Sequence, residues 1–179
     1  MALTVVYAAD TGHVVGALAL TGTAPGTPAA DVAALVGREL PMHVSLGEGH
    51  TAALPLSARE LAVAAVDDEP DALGEPLAFG VDVTADDKPK PALVRLASWT
   101  EGIALATDGL TITVKVPTAR ATPVVALISD EQNTHVLAGE IPAQQTQVKL
   151  PVTLVGGSVH GVLVLVSGWA GRLGTEKVT

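Results

Sequence analysis

Apolar and polar residues alternate with a period of two along much of this chain, and short apolar runs are broken by Gly, Pro, Asn or Asp at close intervals. In Leu110-Thr111-Ile112-Thr113-Val114-Lys115-Val116 the four aliphatic residues fall on one face of an extended strand and Thr and Lys on the other, which predicts a strand with one wet face. Val162-Leu163-Val164-Leu165-Val166 is apolar at every position. It predicts a central strand buried on both faces, or one covered by a partner subunit. The runs Leu3 to Ala8 and His13 to Leu18 flank Asp10-Thr11-Gly12. Gly supplies the positive φ and Asp the local hydrogen bond of a tight turn, so Leu3 to Leu20 reads as a β-hairpin.

Helical signals are few. Thr27 as N-cap, Pro28 at the first helical position and Gly37 past the end bracket one short helix near residues 28–36, with Val32, Leu35 and Val36 forming an apolar stripe. Pro41 to Leu46 reads as a strand ending at Gly47-Glu48-Gly49-His50. Leu54 to Val66 carries two patterns at once. Ser57-Ala58-Arg59-Glu60 spells a helical capping box, while Leu61, Val63 and Ala65 alternate as in a strand; its short length and its strand neighbours favour the strand. Leu77 to Val83 and Ala92 to Trp99 also read as strands, separated by the proline-broken run Asp86 to Pro91.

The last third repeats a rhythm of runs at Leu110 to Val116, Val124 to Ile128, His135 to Ile141, Gln147 to Leu154 and Val159 to Ser167. In cadence, though not in motif, Leu110 to Thr179 resembles immunoglobulin-like or fibronectin-like β-sandwiches. The expected fold is mainly β: a smaller β-rich module over residues 1–84 with one short helix, a linker and connecting strand over 85–109, and a sandwich-like domain over 110–179. The stretch from Val5 to Gly16 shares its grammar with Val124 to Gly139, each a valine-rich strand, a polar turn and a His-Val strand. Such hairpins look alike by default, and the likeness does not decide the fold.

The chain has 179 residues, 48% hydrophobic and 16% charged, which excludes the profile of a disordered segment. Only four aromatic side chains occur (Tyr7, Phe79, Trp99, Trp169), so Val, Leu and Ala must build the core. Nineteen acidic against ten basic residues give a net charge of −9, with no basic cluster beyond Lys88-Pro89-Lys90. Nucleic acid and anionic membrane surfaces are therefore poor partners. No apolar run is long enough to span a membrane, and the first residues lack the basic and apolar regions of a signal peptide, so the expected address is cytoplasmic. Zero cysteines exclude disulfide and thiolate chemistry.

No catalytic or metal-binding set emerges from spacing, and no cofactor is expected. Asp67-Asp68-Glu69-Pro70-Asp71 lacks the glycine of a calcium loop and reads as a solvated turn. His13, His43, His50, His135 and His160 are scattered singly, whereas zinc needs three or four converging ligands. Gly156-Gly157-Ser158-Val159-His160-Gly161 departs from G-x-S-x-G and reads as a glycine-rich turn. Trp99, Trp169 and Tyr7 remain as candidate interface or ligand-stacking residues. The expected function is that of a non-enzymatic structural or assembly subunit of a larger bacterial complex, such as a tail-like or shell-like particle, acting through protein partners or self-association. The alternative is a sandwich binding module that takes a glycan or a protein through its end loops.

Overall fold

The structure, a computed structural model, describes residues 2–20, 31–82 and 91–179. The expected cap at Thr27 and Pro28 and the run from Val83 to Lys90 lie outside them. In chain order the elements are β1 (Ala2–Ala8), β2 (Val14–Leu20), α1 (Val32–Val36), β3 (Glu39–Gly47), β4 (His50–Ser57), a 3-10 turn (Ala58–Glu60), β5 (Leu61–Val66) and α2 (Asp71–Gly74). A second 3-10 turn (Pro76–Ala78) precedes β6 (Phe79–Asp82), β7 (Ala92–Arg95), β8 (Ile103–Ala106), β9 (Gly109–Thr113) and β10 (Thr122–Ser129). The last strands are β11 (Thr134–Ile141), β12 (Gln147–Pro151), β13 (Val159–Val166) and β14 (Arg172–Lys177). The protein is mainly β, with antiparallel sheets and short helices.

Two compact units divide the chain, and both are discontinuous. The first comprises residues 1–40, 56–98 and 168–170; the second comprises 41–55, 99–167 and 171–179.

In the first unit β1 lies between β2 and β5, both antiparallel to it. Leu3, Val5 and Tyr7 share one face of β1 and meet Val66 and Ala64 on β5, with Ala17, Ala19 and Val14 on β2. Phe79 and Val81 complete this core. The β1–β2 hairpin forms, with the glycine of its connection at positive φ as the sequence predicts. Gly12 has φ of 79° and its carbonyl accepts from Val81 N–H at 2.8 Å, so a side chain there would meet both backbone strain and β6. In α1 the half-buried residues are Val32, Leu35 and Val36, the predicted stripe. The doubled signal at Leu54 to Val66 resolves into both readings in succession. Ser57 Oγ accepts from Arg59 N–H and caps a single 3-10 turn, and the strand β5 follows.

In the second unit β12-β9-β8 forms one sheet and β11-β10-β13-β14 the other. In constant-type immunoglobulin domains the fourth strand of seven joins the first, second and fifth. Here the fourth of the seven sandwich strands, β11, pairs instead with the third, β10. Val124, Ala126 and Ile128 on β10 and Val162, Val164 and Val166 on β13 face the core between the sheets, all at most 2% exposed. The opposite faces of the same strands, including Leu127, Leu163 and Leu165, are buried as well.

The β3–β4 hairpin supplies the second cover. A Cβ at Gly161 on β13 would stand 2.5 Å from Val44 Cγ1 and 3.0 Å from Ala52 Cβ, with Leu54 Cδ1 beyond at 3.7 Å. The doubly apolar strand that called for a covering surface thus finds one in its own chain. Strands β8 and β14 and the four-residue helix α2 went unforeseen, and the runs after Arg95, Thr113 and Pro151 leave the extended ladder sooner than alternation implied.

Candidate functional site at the turn end of the sandwich

Three turns of the second unit converge on one end of the sandwich. In the β3–β4 turn Gly47, Glu48 and Gly49 all have positive φ (95°, 52° and 83°), a conformation for which two glycines are suited and which carries Glu48 outward. In the β10–β11 turn the Asp130 carboxylate accepts from the backbone N–H groups of Asn133 and Gln132, at 2.6 and 2.7 Å. Those two bonds, Asn133 first, hold the Asp130 carboxyl below its ordinary range. Val155 to Ser158 forms the third turn and leads into β13.

Between the first two turns lies an open groove of about 580 Å³, lined by Leu46, Glu48, His50, Asp130, Glu131 and Val159 among others. His50 Nδ1 and Glu131 Oε1 meet across it at 2.7 Å. Both side chains are more than half exposed, so the contact fixes geometry more than it stabilises. Three carboxylates against one imidazole leave the groove acidic.

Beneath the third turn, Ser158 Oγ lies 2.9 Å from His160 Nε2. The pairing has the outline of a nucleophile and its base, but its protons run the wrong way. With Ser158 Oγ–H donating to the Val155 carbonyl, which can only accept, Nε2–H is left to donate to Ser158. In that arrangement the histidine is not set to take the serine proton. Among the described residues the buried His160 Nδ1 has no hydrogen-bond partner, and burial lowers the pKa of this histidine, with Asp130 opposing the shift and His135 adding to it. Asp130 serves the turn backbone rather than orienting the imidazole.

No known protein family, curated protein or solved structure matches this chain.

The residues singled out from sequence are distributed between the units. Trp99 belongs to the second unit and is 3% exposed, with the Arg172 guanidinium 5.3 Å above its ring and Arg172 Nη1 donating to its carbonyl at 3.2 Å. Tyr7 and Trp169 belong to the first unit. Tyr7 packs half-buried at the edge of the Leu3–Val5 core, and the Trp169 carbonyl accepts from His13 Nε2–H at 2.6 Å. His13 is fully buried, and its Nδ1 accepts from Thr11 Oγ1 at 2.9 Å. Burial pushes its pKa down to about 4, against the raising effect of the bond to Trp169. It is held as a neutral structural histidine.

Among the described residues no three His, Asp or Glu side chains converge where a metal ion could sit, and no helix is long and apolar enough to cross a membrane. Sequence reasoning missed His50, Glu131 and the pairing of their turns. The two residues are 81 positions apart, and no local spacing signals such a meeting.

Proposed function

We propose that this protein is a non-enzymatic structural subunit that docks a protein partner at the turn end of its sandwich. The observation that carries this reading is the open groove between the β3–β4 and β10–β11 turns, walled by Glu48, Asp130 and Glu131 and joined across by His50. Loops held on a rigid sheet are where such folds present binding residues. The proton arrangement at Ser158 and His160 argues for binding over catalysis. The acidic walls select a basic segment, since opposite charge speeds encounter and like charge excludes wrong partners. A protein partner fits better than a glycan, because Arg172 already covers a face of the Trp99 ring.

A lysine- and arginine-rich peptide titrated into the protein is expected to shift the His50 imidazole resonances and those of the Asp130–Asn133 turn, with affinity falling as salt rises. Glu48→Lys with Glu131→Lys should weaken that binding by roughly tenfold or more, the equivalent of about 1.4 kcal/mol. Shifts spread evenly over the acidic surface, unaffected by the double substitution, would sink the proposal.

A further inference from the structure

Strand β11 is a sheet edge that β12 of the facing sheet approaches without pairing to it. It terminates the β11-β10-β13-β14 sheet, and among the described residues only β10 is hydrogen-bonded to it through the backbone. Sheet edges in soluble proteins are ordinarily blunted by lysine, proline, shortness or a covering element. The other edges of this sandwich follow that rule. Strand β14 carries Arg172, Glu176 and Lys177; β12 carries Lys149 and Pro151; β8 has four residues, one of them already accepting from Thr179 N–H. Strand β11 is eight residues long, Thr-His-Val-Leu-Ala-Gly-Glu-Ile, with no lysine and no proline.

Its two faces differ. Paired register with β10 places His135, Leu137, Gly139 and Ile141 toward the sandwich core and Thr134, Val136, Ala138 and Glu140 on the opposite face, the one on which the β3–β4 hairpin meets Gly161 of β13. Val136 is accordingly 56% exposed, and Thr134 and Ala138 are exposed beside it. The row is uncharged until Glu140.

We propose that β11 pairs with β11 of a second copy of this chain, antiparallel about a two-fold axis at Leu137, joining two four-stranded sheets into one of eight strands. The strand complements itself in that register. Residues opposite one another must share a face, so Val136 meets Ala138, Thr134 meets Glu140 and His135 meets Gly139, and no like charges are opposed. The occupant is a second copy because of where charge is absent. The chain carries a net charge of −9, so two copies repel over most of their surface. Strand β11 contributes one carboxylate and one histidine and offers an apolar row at its centre. A copy approaching there gains backbone hydrogen bonds and buries Val136 and Ala138 against their counterparts. This inference is independent of the groove at the turn end.

The test is the mass of the full chain by light scattering from micromolar to near-millimolar concentration. The expected result is a transition to twice the 18.0 kDa of the chain. Val136→Lys should remain monomeric over that range with an unchanged thermal midpoint, while Val155→Lys, at a site 77% exposed but away from β11, still dimerises. Because the chain has no cysteine, disulfide trapping gives a second readout of the register. A mixture of the Val136→Cys and Ala138→Cys chains should cross-link on mild oxidation far more than a Val155→Cys chain does. A wild type that stays monomeric throughout, a Val136→Lys chain that still dimerises, or cross-linking no greater than that of Val155→Cys would each overturn the proposal.

Discussion

Gly161→Ala lowers the stability of the protein by about 1–3 kcal/mol, read as a reduced denaturant midpoint at unchanged slope. Two effects compete at this position. Removing a glycine from a strand restricts the unfolded chain and by itself stabilises by roughly 0.4–1 kcal/mol. Against this, the new methyl would stand 2.5 Å from Val44 Cγ1 and 3.0 Å from Ala52 Cβ. Ala52 has no side-chain torsion through which to retreat, so the β3–β4 hairpin must lift from β13. The steric cost therefore wins. Gly174→Ala is the matched control, because among the described residues a Cβ there meets nothing within 4 Å and φ is not positive. It should be neutral or slightly stabilising, and equal losses in the two variants would disprove the role given to the hairpin.

Stability also falls by about 3 kcal/mol as pH drops from above 6.5 to about 4, most of it through His13. His13 titrates near 6.5 in the unfolded chain and near 4 when folded, so between these values the unfolded state binds a proton that the folded state refuses. The contribution is fully present above the unfolded value and is lost as pH falls toward the folded one. His160, also shifted downward by burial, adds in the same direction. Asp108 and Asp130, with carboxyls held below their ordinary range, lose their contributions at still lower pH, which separates them from the histidine window. Denaturant titrations between pH 7.5 and 4.5 check the slope. His13→Gln should be less stable at neutral pH, because the Thr11 and Trp169 partners are disturbed, and should show a flatter pH dependence. An unchanged slope in that variant would remove His13 as the cause.

Local chemistry was well written in the sequence where one short segment decides the outcome. Asp10-Thr11-Gly12 specifies its hairpin because the turn needs a positive φ and the flanking valines need a sheet. Val162 to Val166 announces a strand buried on both faces because no polar residue interrupts it. Where two signals overlapped, as at Ser57 to Val66, both were true over different residues, and a capping box proved enough for one turn but not for a helix. Edge elements were hard to read. Arg172 to Lys177 is a strand whose polar content suits an exposed edge, and Ile103 to Ala106 is too short to display a period. The cover for β13 and the groove were illegible for a different reason. Each joins segments about a hundred or eighty positions apart, His50 with Glu131 and Ala52 with Gly161, and a period of two says nothing about which strands will become neighbours.

The placement of the β3–β4 hairpin also imposes an order on synthesis. Residues 41–55 leave the ribosome roughly a hundred residues before β13, the strand they cap, so at 5–20 residues per second they wait roughly 5–20 s for their surface. During that interval Val44, Ala52 and Leu54 are without their neighbour on β13. A nascent chain stalled before Val159 should accordingly be sensitive to protease and attractive to chaperones, and both properties should vanish within a few residues of the point at which β13 clears the exit tunnel.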